Sequence, residues 1–145
     1  MTRTNFNEVE LAFLSRMRVA RLATADAGGQ PHVVPIVFAM DDQKLYTPVD
    51  DKPKRVVPSQ LKRVRNLLAN PQVAIVVDEY DEDWTRLAWV LVIGRGEIVE
   101  RGDAHATGIR LLQQKYPQYD SMPLEDHLLI VVIPSRISSW QGLPK

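Results

Sequence analysis

The chain has no cysteine, which excludes disulfides and thiolate metal sites and makes the cytoplasm the expected compartment. It has no net charge, with 18 Lys and Arg balancing 18 Asp and Glu, so it lacks the broad basic field of a nucleic-acid-binding protein. No apolar run approaches the roughly twenty residues that cross a bilayer, and no membrane role is expected. The N-terminus, MTRTNFNEVE, lacks the apolar stretch of a secretory signal. The three histidines, at 32, 105 and 127, fall on separate elements without ligand spacing, so no metal site is expected. Nothing resembles a nucleophile elbow or a P-loop. Gly94-Arg95-Gly96 lacks the third glycine of a dinucleotide fingerprint and reads instead as a bulge or a close strand crossing.

What remains is an ordinary globular composition, 45% hydrophobic and 25% charged over 145 residues. That is enough to bury about two thirds of the unfolded surface in one core, and a single domain over residues 1–145 is expected. Positive charge is concentrated in one place. The run KPKRVVPSQLKRVR, from Lys52 to Arg65, holds six Lys or Arg and no acid. Ammonium and guanidinium groups gathered after a strand and leading into a helix suit a phosphate or polycarboxylate tail, although a solvated basic helix face has the same composition.

Apolar residues Val9, Ala12, Phe13 and Met17 recur at helical spacing and predict a first helix over 7–17 with Asn5 or Asn7 as cap. Val19 to Ala25 alternates and runs into Asp26-Ala27-Gly28-Gly29, which predicts a hairpin returning from Gln30. His32 to Met40 is apolar on both faces and reads as one strand of a barrel or sandwich, and Lys44 to Val49 as the next. A second helix, capped by Ser59, carries Leu61, Val64, Leu67 and Leu68 as its buried stripe. Gln72–Asp78 and Arg86–Glu100 are predicted as neighbouring strands across the acidic loop from Glu79 to Thr85. Asp103 caps a third helix bearing Ile109, Leu112 and Tyr116, and His127 to Ile133 forms the last strand, followed by a tail with an exposed Trp140. The fold class expected is α+β, a six-stranded antiparallel barrel with flanking helices.

Pro35 lies inside a strand, where it cannot donate to a ladder, so an edge or a bulge is required there. The unpaired backbone of Val34 and Ile36 would suit a flat heterocycle, or the edge faces solvent or a second subunit. Trp84, Trp89 and Trp140 offer aromatic faces that pack or meet a ring. Arg86 pairs with the acidic loop or reaches an anion.

Taken in order, the segments GQPHVVPIVF from Gly29, LYTPVDDKPKR from Leu45, LKRVRN from Leu61, NPQVA from Asn70 and DWTRL from Asp83 resemble the pyridoxamine-phosphate-oxidase-like split-barrel superfamily. More narrowly, they resemble its F420-dependent branch. The resemblance implies a six-stranded split barrel, a homodimer with two cofactor sites at the subunit interface, and hydride exchange through a flavin or the deazaflavin F420. By matching position, Val34, Pro35 and Ile36 would lie against the ring, with Tyr46 and Thr47 beside it. Lys52, Lys54 and Arg55 would hold the phosphate, with Arg63 as a further candidate. Trp84, Arg86 and Trp89 resemble the segment that neighbours the cofactor from the other subunit. The F420 tail carries phosphate and carboxylates in a row, a closer match to a long basic run than the single phosphate of FMN.

The expectation is therefore an F420-dependent oxidoreductase acting on a small conjugated substrate. The alternative is an FMN-binding relative of pyridoxamine 5'-phosphate oxidase that serves as oxidase, reductase or electron carrier. A third reading, a non-enzymatic barrel binding nucleic acid through the basic helix, would show as steep salt dependence. No side chain is assigned as catalytic; Tyr46 and water are both candidates for the proton donor.

Overall fold

The computed structural model describes residues 2–49 and 61–141. Three helices, α1 (Glu8–Arg16), α2 (Lys62–Ala69) and α3 (Asp103–Lys115), accompany seven strands: β1 (Ala20–Ala25), β2 (Pro31–Ile36), β3 (Ala39–Met40), β4 (Leu45–Pro48), β5 (Gln72–Glu79), β6 (Ala88–Val99) and β7 (Leu129–Gln141). The strands form one sheet in the order β2-β1-β5-β6-β7-β4-β3, and every neighbouring pair is antiparallel. The α+β class and the antiparallel sheet are as expected, but the described residues form seven strands rather than six. The expected single strand over 32–40 breaks at Val37-Phe38 into β2 and β3.

That break governs the architecture. Laid flat, seven strands at about 4.8 Å spacing would hold β2 and β3 roughly 29 Å apart. Only Val37 and Phe38 separate them in the chain, a reach of about 11 Å at most. The sheet must therefore curl until its two edges meet, joined by covalent chain and not by a hydrogen-bonded ladder. Phe38 plugs this seam, with no exposed surface. Leu14, Leu22, Ile75, Val92, Ile130 and Val132 fill the interior beneath it, each burial worth about 1.5–3 kcal/mol. A second apolar cluster, Ile109, Leu112, Tyr116, Leu124 and Leu129, packs α3 on the sheet.

The C-terminal end of α3 holds the seam. The Tyr116 hydroxyl accepts from the Phe38 N–H at 3.1 Å, and its oxygen lies 3.0 Å from the Phe38 carbonyl and 2.9 Å from that of Arg18, between which its one proton is shared. Lys115 Nζ donates to the Leu14 carbonyl at 2.9 Å and stands 3.6 Å from the centre of the Phe38 ring. Burial, aided by the Arg18 charge, pulls the Lys115 ammonium down to about 7; the ring face and the carbonyl oppose that pull.

Helix α1 starts at a capping box in which Glu10 N–H donates to the Asn7 side chain at 2.8 Å and Asn7 N–H to Glu10 at 3.0 Å. Val9, expected inside, is exposed, whereas Glu10 is buried. Burial opposes the Glu10 charge, but Arg3, Ser139 and the Asn7 N–H outweigh it and hold the carboxyl below its ordinary value. In α2 the stripe also shifts: Val64 and Leu67 are buried as expected, Leu68 is exposed, and Asn66 is buried in its place. The expected Ser59 cap lies outside the described residues. Gly102, with φ +97°, stands at the N-cap of α3, so that Asp103 is the first helical residue and not the cap.

Strand β7 runs to Gln141, so the expected tail is mostly strand, and Trp140 faces Trp89 across the ladder. The register slips between Ile93, paired with Arg136, and Gly94, paired with Pro134, which leaves Ser135 as the extra residue of a bulge in β7. A Cβ at Gly94 would run into the Ile133 carbonyl, which accounts for glycine at this crossing.

Two outcomes are expected. Tyr116→Phe strands the buried seam groups and lowers stability by about 1–3 kcal/mol in urea unfolding. A loss near zero would show that Tyr116 does not hold the seam. The folded Lys115 amine lies below its unfolded value, so its contribution to stability is full above about 10.5 and is lost as pH falls through about 7. Lys115→Met should therefore reduce the rise in melting temperature between pH 7 and pH 10.

Candidate functional site

Two features bring the basic helix to the sheet. The buried Asn66 side chain donates to the buried Thr24 hydroxyl of β1 at 3.0 Å, and Lys62 lies 3.9 Å from Asp26 in the β1–β2 turn. With α2 pinned in this way, Arg63 reaches the rim of a cavity of about 220 Å³ lined also by Val19, Pro35, Ile36, Val37, Thr47 and Pro48. The cavity opens beside the seam, where β2 ends and β4 passes.

Thr47 is the informative group. It is 2% exposed, and its Oγ1 has no hydrogen-bond partner among the described residues. A buried hydroxyl without a partner costs about 1–3 kcal/mol, and buried polar groups are almost always satisfied. An unpartnered hydroxyl on a residue that lines a mostly apolar cavity, with the Arg63 side chain lining it as well, suits a flat ligand with a polar edge and an anionic arm. The residues present thus fit a flavin or deazaflavin in character. The cavity takes only part of such a molecule, since complete small-molecule pockets run from about 300 Å³ upward.

Strand alternation divides the expected contacts. Pro35, Ile36, Thr47 and Arg63 come together at the cavity. Val34 packs against the core and does not line it. Tyr46 points the other way from Thr47: its ring lies where a Cβ on Gly108 of α3 would be, and its hydroxyl donates to Asp41 at 2.9 Å. Burial and the Asp41 carboxylate raise the Tyr46 phenol far above its ordinary value, so it is not placed to give up a proton at the cavity. Val37, which sequence reasoning did not single out, lines it. Lys52, Lys54 and Arg55 lie outside the described residues. The segment that contains them departs from Val49, whose N–H donates to the Leu128 carbonyl at 2.8 Å and whose carbonyl lies 3.2 Å from His127 Nδ1.

Pro35 also belongs to the outer face of the sheet. The ladder aligns it with Arg21, Val76 and Leu91 in one cross-strand row. Beside this row, Asp78 pairs with Trp89, and Arg21, Val76, Asp78, Trp89 and Leu91 line a shallow concavity. Arg21 and Asp78 approach to 3.5 Å. Trp84 and Arg86 lie elsewhere, in the turn that Asp83 caps. Trp84 is exposed, with its indole N–H 3.4 Å from the Tyr80 hydroxyl, and Arg86 is 3.5 Å from Asp81. Among the described residues no group of three His, Cys, Asp or Glu is placed to hold a metal, and no helix is long and apolar enough to cross a membrane.

A curled antiparallel barrel with a cavity at its seam defines a split-barrel protein. Residues 6–141 match the pyridoxamine 5'-phosphate oxidase family, and the chain belongs to that family. One relative, the 5a,11a-dehydrotetracycline/5a,11a-dehydrooxytetracycline reductase of Streptomyces rimosus, is 31% identical over 74 residues, 51% of this chain and 49% of that protein. The alignment thus spans about half the length of this curated relative. Among solved structures, a conserved hypothetical protein of Mycobacterium tuberculosis superposes with a TM-score of 0.75 at 24% identity, covering 100% of this chain and 94% of that one. A protein named F420 reductase superposes at 0.64 with 26% identity, covering 92% and 98%. The same fold also occurs in proteins named for FAD binding and for haem storage. At this level the chain is related to oxidoreductases.

Thr47→Val removes the unpartnered hydroxyl at nearly constant volume. In the ligand-free protein it should raise stability by about 1 kcal/mol, measured by urea unfolding. A loss would mean that the hydroxyl has a partner within the chain.

Proposed function

We propose that the protein is an F420-dependent oxidoreductase that works as a homodimer on a small conjugated substrate in the cytoplasm. The observation that carries this reading is the buried, unpartnered hydroxyl of Thr47, a residue that lines a cavity together with Pro35, Ile36, Val37 and Arg63. The reductase relative and the F420 reductase of similar fold support the reaction class. The charge run from Lys52 to Arg65 supports the cofactor, because it suits an arm bearing several anions better than a single phosphate.

Bound F420 would supply two-electron hydride transfer chemistry. The chain's own residues would do the rest. Thr47 Oγ1 would hydrogen-bond the polar edge of the ring, and Pro35, Ile36 and Val37 would exclude water from one side of it. Arg63, with Lys52, Lys54 and Arg55 of the neighbouring segment, would hold the anionic arm. Tyr46 is engaged with Asp41 on the far side of its strand, which leaves water as the source of any proton the reaction needs.

The outer face of the sheet supports the dimer. Ala23, Ala74, Leu91 and Ile93 on this face are half-buried and apolar, and Trp89, Pro35 and the Arg21–Asp78 pair lie on the same face. A second copy packed there would bring Trp89 of one chain near the cavity of the other and would complete a cleft that a single chain leaves open. The fold's FAD-binding member favours a second reading, an FMN-binding relative of pyridoxamine 5'-phosphate oxidase.

Parallel fluorescence titration with F420 and FMN decides between the cofactors, and a yellow protein from a host that makes no F420 would favour FMN. Thr47→Val is expected to weaken F420 binding about tenfold, and Lys52→Ala with Lys54→Ala at least tenfold. Unchanged affinity in both would remove the site from the proposal. Sedimentation equilibrium should give twice the chain mass, and a monomer that still binds F420 tightly would overturn the shared site.

A further inference from the structure

Lys115 is not used by the reading above. Its Nζ lies 3.6 Å from the centre of the Phe38 ring, and the residue lines a concavity of about 240 Å³ with Ser15, Ala39, Met40, Leu111 and Gln114, none of which lines the cavity of Thr47. Its surroundings suit a neutral amine better than an ammonium. None of the ion pairs among the described residues includes Lys115. Arg18 donates to the Lys115 carbonyl at 2.9 Å and stacks 4.4 Å from the Tyr116 ring centre, which brings a second positive charge alongside. The groups facing Nζ are few: α1 contributes the Leu14 carbonyl and Ser15, β3 only Ala39 and Met40, and α3 and the residue after α1 contribute Tyr116 and Arg18. Among the described residues, no acid belongs to this set.

We propose that Lys115 Nζ is a nucleophilic modification site that takes small activated acyl groups, of the acyl-phosphate or acyl-thioester class. The amine lone pair attacks the acyl carbonyl carbon. A nitrogen–carbon bond forms as the bond to phosphate oxygen or sulfur breaks, the leaving group departs with that electron pair, and the proton lost from nitrogen neutralises it. The product suits the seat better than the ammonium does. An amide N–H can keep the bond to the Leu14 carbonyl, while the cost of burying a charge and the repulsion from Arg18 both disappear. The contacts of a cation with the Phe38 and Tyr116 rings are given up. The cavity, walled chiefly by Ala39, Met40 and Leu111, has room for a short acyl chain, and the Gln114 amide at its edge can donate to the acyl oxygen.

Reactivity follows from the balance of protonation. Burial and Arg18 draw this amine toward about 7, whereas an exposed lysine is almost wholly protonated at neutral pH. The larger neutral fraction outweighs the lower intrinsic nucleophilicity that accompanies a lower pKa, a net gain of about tenfold.

The test treats the full chain with acetyl phosphate and, separately, with acetyl-coenzyme A from pH 6 to pH 9, and follows acetylation at Lys115, Lys44 and Lys62 by peptide mass spectrometry. At pH 7.5, Lys115 should react about tenfold faster than Lys44 and Lys62 with at least one donor. Its rate should level off above about pH 7.5 while theirs keep rising; the donor that works identifies the class. Equal or slower reaction at Lys115 with both donors, or a rate rising through pH 9 like the others, overturns the proposal. Lys115→Arg should abolish the fast site and leave acetylation of Lys44 and Lys62 unchanged; persistence of a fast phase would place it at another residue. None of these readouts depends on F420 binding, so the two proposals stand or fall separately.

Discussion

The architecture depends on a contact at which two strands fail to pair. Where β2 gives way to β3, the backbone of Phe38 has no ladder partner, and the Tyr116 hydroxyl takes its place by meeting both the N–H and the carbonyl of that residue. A buried backbone group without a partner would cost about as much as a lost hydrogen bond. The side chain from α3 therefore allows the sheet to close around its core without a continuous ladder at the join. The same join brings the C-terminal ends of α1 and α3 together through Lys115 and Arg18.

The cleft is a by-product of that closure. Because β2 and β4 diverge around Val37, the side chains of Pro35, Ile36, Val37 and Thr47 surround space that a fully paired barrel would have filled. Packing and site formation are thus in tension at Thr47. Its side chain is buried, while its oxygen has no partner among the described residues, which is a stability cost.

Much of the fold was legible in local pattern. Alternation and turn chemistry gave β1, the hairpin, β5 and β6, and helical periodicity gave three helices. What was not legible depended on long-range partners. Val37-Phe38 is as apolar as its neighbours, so nothing in the run announces a break; the break exists because α3 supplies a hydroxyl there. Asn66 displaced Leu68 from the buried face of α2 because Thr24 lies opposite it, a pairing 42 residues away in the chain. Strand β7 runs past its expected end through a bulge at Ser135, beside which Gly94 leaves room for the close crossing. At the site, the ordered motifs led to Pro35, Ile36, Thr47 and Arg63, which the fold brings together. Alternation along two strands sent Val34 and Tyr46 elsewhere, a matter of register that periodicity alone does not resolve.

Strand β2 is also the outermost strand at one end of the sheet, and it carries proline at 31 and again at 35. Residues at this spacing direct their backbone nitrogens the same way, and at both positions there is no N–H to offer. An open sheet margin is ordinarily a template on which further chains accrete. Here it is short of donors, so the margin beside the cavity offers a poor start for fibrillar growth.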